Sequence, residues 1–283
     1  MHARLIFIVL LLALSGLALT GCEQLSRQRN DPPGSQPPNA EQDNDLPFGN
    51  PSNATRDPSN RDNLLVVHNG YILSYNNSRE TLNWVAWRTS KSDLGDKLER
   101  PLFQPDMTLP DGVRRVQYYD YSGSGYDRGH MVPSADRFSD KARNDETFLM
   151  TNIVPQTHEL NEGPWQKLEI YARNLAGRGN DLYEIAGVYG ERSKFRGRVT
   201  VPTNCWKVIA VLSPGRHSID ASTRIIAVDM PNTNGILNDN WQQYRTNVRE
   251  IEQKTGLDLF SALPREVQDK IETRTDTAAS PAY

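Results

Sequence analysis

The sequence predicts an α+β fold on a mostly antiparallel sheet, and three observations carry the prediction. Apolar runs of strand length outnumber helical stretches. Two of those runs flank Asn69-Gly70, a dipeptide that closes hairpins. The helical stretches are few, and each carries a recognisable terminal signal.

In chain order, Leu64-Leu65-Val66-Val67 and Ile72-Leu73-Ser74-Tyr75 form the arms of that hairpin, and Thr81 to Thr89 reads as the next strand. Val113 to Tyr119 is expected to be another. Leu182 to Tyr189 and Lys207 to Leu212 are mostly apolar, as strands buried on both faces require. Thr223 to Met230 adds a further strand. Pro164 suits a first helical position, with Leu168, Tyr171, Ala172 and Leu175 at helical spacing behind it. Tyr244 to Lys254 is amphipathic and closes at Gly256, a residue that tolerates the left-handed cap conformation. Pro264 to Ile271 is expected to be a last short helix.

The 283 residues are 37% hydrophobic and 24% charged, enough apolar material for a core. Formal net charge is −3, and residues 47–275 carry equal numbers of acidic and basic side chains. A nucleic-acid site would therefore be a local Arg/Lys patch rather than a global field.

Arg4 precedes an apolar run from Leu5 to Leu19, shorter than a membrane span and matching a signal-peptide core. It ends in Leu19-Thr20-Gly21-Cys22, which resembles a bacterial lipobox. That resemblance implies cleavage after residue 21 and lipid on Cys22, with each buried CH₂ of an acyl chain contributing about 0.8 kcal/mol. A plain secretory peptide is the alternative. Residues 22–46 are Gln-, Asn-, Pro-, Asp- and Ser-rich and read as a disordered tether. The folded domain is expected over 47–275, with 276–283 a flexible tail. Cys205 would then have no partner in the chain, and is expected to pack at a strand start.

Two clusters carry chemistry: Tyr126-Asp127-Arg128-Gly129-His130, and Asn161 to Glu169 with Arg173 beyond. Phosphodiester cleavage needs water activated, charge neutralised and a leaving oxygen stabilised. His130 titrates where a neutral imidazole can take a proton. Asn161 offers an uncharged oxygen donor, suited to a cation that keeps most of its waters, as Mg²⁺ does. Asp127 and Glu169 can accept from such waters, and Arg128 and Arg173 can fork onto phosphate oxygens. Glu169 and Arg173 are four residues apart on one helix face. Gly129 permits close backbone approach beside His130. Singly, His130 could be a structural histidine, Asn161 a helix cap, and Glu169–Arg173 a solvated pair.

The stretch Asp127-Arg128-Gly129-His130-Met131-Val132-Pro133-Ser134-Ala135-Asp136, then Phe148 to Gln156, then Asn161-x3-Trp165-x2-Leu168-Glu169, resembles the DNA/RNA non-specific endonuclease family. These are the ββα-metal (His-Me finger) nucleases of the Serratia-nuclease type, and the closest likeness is to cyanobacterial sugar-non-specific nucleases. The likeness extends over roughly 47–275. It implies a central, mostly antiparallel sheet flanked by helices. It implies His130 as general base, Asn161 as direct ligand of Mg²⁺ (or Mn²⁺), and Asp127 and Glu169 holding metal waters. It also implies Arg128 and Arg173 on phosphate, Asn152 supporting the site through hydrogen bonds, and products with 5′-phosphates. An upstream Arg near a Phe and an Asp belongs to the family pattern; Arg100, in Arg100-Pro101-Leu102-Phe103-Gln104-Pro105-Asp106, is the nearest match, with shifted spacing.

His158-Glu159 lacks the second His of a zinc-protease helix, Gly123-Ser124-Gly125 does not fit a nucleophile elbow, and no zinc-spaced Cys/His set exists. The expectation is a metal-dependent endonuclease acting on single- or double-stranded DNA and RNA, lipid-anchored in the bacterial cell envelope or extracellular. A nucleic-acid-binding envelope lipoprotein with weak catalysis is the alternative. A cytoplasmic protein inhibitor would protect the producing cell, though no residue shows one.

Overall fold

The computed structural model describes Leu46, residues 49–216 and residues 218–278. The signal peptide, Cys22 and, but for Leu46, the tether expected over 22–46 lie outside the described residues.

Seven strands form the main sheet: β1 (Leu64–Val67), β2 (Ile72–Asn76), β3 (Thr81–Thr89), β6 (Asp181–Tyr189), β9 (Asn204–Leu212), β10 (Arg224–Pro231) and β11 (Arg245–Thr246). They lie in the order β1-β2-β3-β6-β9-β10-β11, and every neighbouring pair is antiparallel. The longest apolar runs, β6 and β9, are central, as expected of strands covered on both faces. Asn69-Gly70 turns the β1–β2 hairpin, closed by the His68 N–H on the Tyr71 carbonyl at 2.9 Å.

Strand alternation divides the core. Cys205, Ile209 and Val211 of β9 face one cluster, while Trp206, Val208, Ala210 and Leu212 face another. The second cluster is covered by α3 (Val248–Thr255) and α4 (Arg265–Ile271) through Val248, Ile251 and Ile271. The first is covered by a small antiparallel pair, β4 (Asp127–His130) and β5 (Ile153–Gln156), and by α2 (Gln166–Gly177). Leu168, Tyr171, Ala172, Leu175 and Ala176 are the buried stripe of α2. Fully burying a side chain such as Leu168 contributes about 1.5–3 kcal/mol. The short helix α1 (Lys141–Glu146) and the pair β7 (Ser193–Phe195) and β8 (Val199–Val201) complete the fold.

Several expectations are corrected. Val113 to Tyr119 is no strand: Val113 and Val116 are buried, but the segment is a turn leading into a 3₁₀ helix at Tyr118–Tyr121. Arg114 ties that turn to Glu80 and Asp120 instead. The helix expected from Tyr244 begins at Val248, because the Asn247 side chain accepts from the Glu250 N–H and caps it there. Gly256 closes it with φ 74°. The tail is tied down at its start: Asp276 bonds the Arg224 guanidinium at 2.9 Å and lies 3.2 Å from that of Arg245.

Pro164 takes the first helical position, as expected, and a separate turn precedes it. That turn begins at His158, capped by the Thr157 hydroxyl, and breaks at Gly163, whose angles are non-helical (φ −98°, ψ −119°). The next helix starts at Pro164, which has no N–H to donate, and runs on as α2. A Cβ on Gly163 would meet the Leu237 carbonyl at 2.8 Å, so only glycine lets the two backbones approach.

Candidate active site

The β4–β5 pair and α2 form one ββα unit. Its register opposes His130 to Ile153 and Arg128 to Pro155. Gly129 between them packs against Gln156, where an added Cβ would stand 1.9 Å from Oε1. Gln156 in turn approaches the Cys205 sulfur at 3.6 Å. Cys205 is fully buried, and burial pushes its thiol up to about 12, so it is a packing residue.

A cleft of about 230 Å³ opens over this unit, lined by Arg100, Arg128, His130, Asn161, Glu169 and Arg173 among others. The turn before the Gly163 break brings Asn161 to the cleft that His130 lines, and α2 brings Glu169 and Arg173. Asp127 and Asn152 lie outside the lining.

His130 is half-buried. Its ring meets Phe148 edge-on at 4.8 Å and Phe103 at 5.4 Å between centroids. Nε2 is sealed from solvent without a hydrogen-bond partner, which leaves Nδ1 as the nitrogen open to the cleft. Burial, followed by the positive charge of Arg100, pushes the imidazole down to about 3. Both effects favour the neutral ring.

Asn161 donates through Nδ2 to Asp127 Oδ2 at 3.0 Å. The same oxygen is 2.9 Å from His158 Nδ1. With its nitrogen held, the Asn161 carbonyl oxygen is the atom left for a ligand. Glu169 is mostly buried, and its nearest cation is the Lys207 ammonium at 3.8 Å. Burial raises the Glu169 carboxyl, while Lys207 and Arg173 act in the opposite direction. One amide oxygen and one nearby carboxylate are hard oxygen donors, which fits a largely hydrated divalent cation better than a soft metal.

The arginines are anchored before any substrate arrives. Arg128 gives Nε and Nη2 to the Tyr118 carbonyl at 3.0 and 2.7 Å. Arg173 gives Nη1 to Asp136 at 3.2 Å. A guanidinium has five N–H donors, so each keeps some for the cleft. Arg100 reaches the site although its spacing is shifted: Gln104 bridges Leu149 through backbone hydrogen bonds at 3.1 and 2.8 Å to its flanking residues. That bridge sets Phe103 against Phe148, and the Arg100 guanidinium lies 5.3 and 5.4 Å from the two rings.

Asn152, expected to support the site through hydrogen bonds, is fully buried and grips Val132 N–H at 2.9 Å, Val132 carbonyl at 3.0 Å and Thr147 carbonyl at 2.8 Å. It fixes the chain just beyond His130 and lies outside the cleft lining. The sequence reading missed the charges beneath the site. Lys207 and Glu184 sit on the inner faces of β9 and β6, both almost fully buried. Glu184 accepts from the Thr89 hydroxyl at 2.9 Å, and Lys207 lies over the rings of Trp165 and Trp87 at 4.6 and 5.1 Å. A charged residue inside an otherwise apolar strand was the available signal, because a buried charge demands a partner.

Comparison with known proteins matches residues 49–266 to the family described as DNA/RNA non-specific endonuclease. The chain belongs to that family. A nuclease of Nostoc sp. is 48% identical over 82% of this chain and 85% of its own length. The Serratia marcescens nuclease is 30% identical over 75% of this chain and 80% of its own. A solved structure of EndoG in complex with EndoGI matches with a TM-score of 0.67 over 82% of this chain and 96% of that one; at 22% identity it shows the shared fold. The chain is thus a hydrolytic nuclease with an α+β, ββα-type fold, and the cleft of this endonuclease-family domain coincides with its ββα unit.

Proposed function

We propose that the protein is a metal-dependent, sugar-non-specific endonuclease that cuts DNA and RNA strands to 5′-phosphate products. The observation that carries this reading is a neutral imidazole, His130, whose open nitrogen faces a cleft shared with Asn161, Glu169 and three guanidiniums.

In this reading Asn161 would hold Mg²⁺ (or Mn²⁺) directly, with Glu169 next to it. Asp127 acts one step back, through its grip on the Asn161 amide. A divalent cation bound there would neutralise charge building on the phosphate and on the leaving oxygen. His130 takes a proton from water at Nδ1; the water oxygen bonds to phosphorus while the bond to the 3′ oxygen breaks, and that oxygen takes a proton from a second water and leaves as the 3′ hydroxyl. Arg128, Arg173 and Arg100 hold the phosphate oxygens in line for this attack. Contacts directed at phosphates read neither base nor sugar. Lipid on Cys22 and an envelope or extracellular location belong to the same proposal and rest on the Leu19–Cys22 pattern.

The test is incubation of supercoiled plasmid and of RNA with the protein, with Mg²⁺ or with EDTA. Degradation of both only with metal supports the reading. Binding of both without cleavage would leave a nucleic-acid-binding module in its place.

A further inference from the structure

Six large apolar side chains are exposed on the described surface. Tyr118 and Tyr119 are 52% and 53% exposed, and Leu102, Ile170, Leu237 and Met107 complete the set. Leu102 lies between Arg100 and Phe103, Ile170 follows Glu169, and the Leu237 backbone packs on Gly163 of the Asn161 turn. Tyr118 is tied to the cleft most directly: its carbonyl takes both N–H bonds that Arg128 gives away.

Tyrosine suits such a rim, since its hydroxyl stays hydrated while its ring offers a flat apolar face. The two rings meet edge to face, 5.4 Å apart at 74°, a contact that leaves at least one face of each ring uncovered. Arg128 stands over Phe103 and Tyr121 at 5.7 and 5.8 Å, and Tyr121 ends the 3₁₀ helix that carries both tyrosines.

We propose that Tyr118 and Tyr119 form a stacking platform for the nucleobases next to the phosphate held at Arg128, so that the site favours single-stranded DNA or RNA, whose bases are free to splay. This rests on the nuclease reading above. Aromatic faces accept every base, so the platform adds affinity without sequence preference. A base kept in a duplex cannot reach it without unpairing.

The test is fluorescence anisotropy with the full chain in EDTA, using an oligothymidylate and an abasic oligomer of equal phosphate count. The platform makes the oligothymidylate bind about tenfold tighter. Tyr118→Ala and Tyr119→Ala each weaken it about fivefold or more without affecting the abasic oligomer, and Tyr118→Phe restores it. Both side chains are exposed, and Tyr118→Ala keeps the carbonyl that Arg128 grips, so the variants remain folded. If both oligomers bind alike, or the double alanine variant keeps the preference, the platform is refuted while phosphate binding and the nuclease reading stand. If neither oligomer binds, the nuclease reading fails and takes the platform with it.

Discussion

Asp127 Oδ2 lies 3.0 Å from Asn161 Nδ2 and 2.9 Å from His158 Nδ1. This carboxylate fixes which way the Asn161 amide points. Asp127→Ala frees that amide to rotate. The Mg²⁺ concentration for half-maximal cleavage should rise at least about tenfold, as removal of a ligand's hydrogen-bond partner usually causes. Mn²⁺ binding followed by electron paramagnetic resonance reads the same loss without turnover. Unchanged affinity would show that Asp127 does not orient Asn161.

Gly129 is required by contact rather than by backbone conformation. Gly129→Ala drives a methyl into Gln156, and overpacking of this kind costs about 1–3 kcal/mol. Thermal melting should show a midpoint about 5 °C lower. Gln156→Ala in the same chain should recover part of the loss by removing the blocking side chain. A double variant no more stable than Gly129→Ala would place the strain elsewhere.

The buried charges beneath the cleft couple stability to the site. Lys207→Met leaves Glu169 without its nearest cation and should cost about 3 kcal/mol in urea unfolding at pH 8. Adding Glu169→Gln should restore most of that stability while activity stays lost. Full stability in Lys207→Met alone would mean that the 3.8 Å approach carries no net coupling.

The acid limb of the rate profile reports on His130. A general base works when neutral, and a group is neutral above its folded pKa. With the imidazole pushed down to about 3 by burial and Arg100, His130 should impose no fall in rate from pH 8 down to about pH 5. Arg100→Ala should bring the limb upward. An inflection near 6.5 in the wild type, the ordinary imidazole value, would contradict this assignment.

Much of this architecture was legible in the sequence because local physics and tertiary packing agree. The Asn69-Gly70 hairpin, the apolar central strands and the Leu168–Leu175 stripe all follow from turn chemistry and periodicity. Glu169 and Arg173 fall on one helix face by their four-residue spacing. Failures fall where one element depends on a distant one. The break at Gly163 lies against the Leu237 backbone, and nothing near Pro164 announces that contact. Val113 to Tyr119 has strand-forming residues but no strand beside it. Arg100 reaches the cleft only through the Gln104–Leu149 bridge, which spacing cannot reveal.

The central claim is that His130 is the base of a metal-dependent nuclease. The most direct measurement compares wild type and His130→Ala on supercoiled plasmid at saturating Mg²⁺, with Mn²⁺ binding measured in parallel. The account predicts a rate loss of about 10²–10⁴-fold with metal binding retained. Cleavage within tenfold of wild type would contradict it.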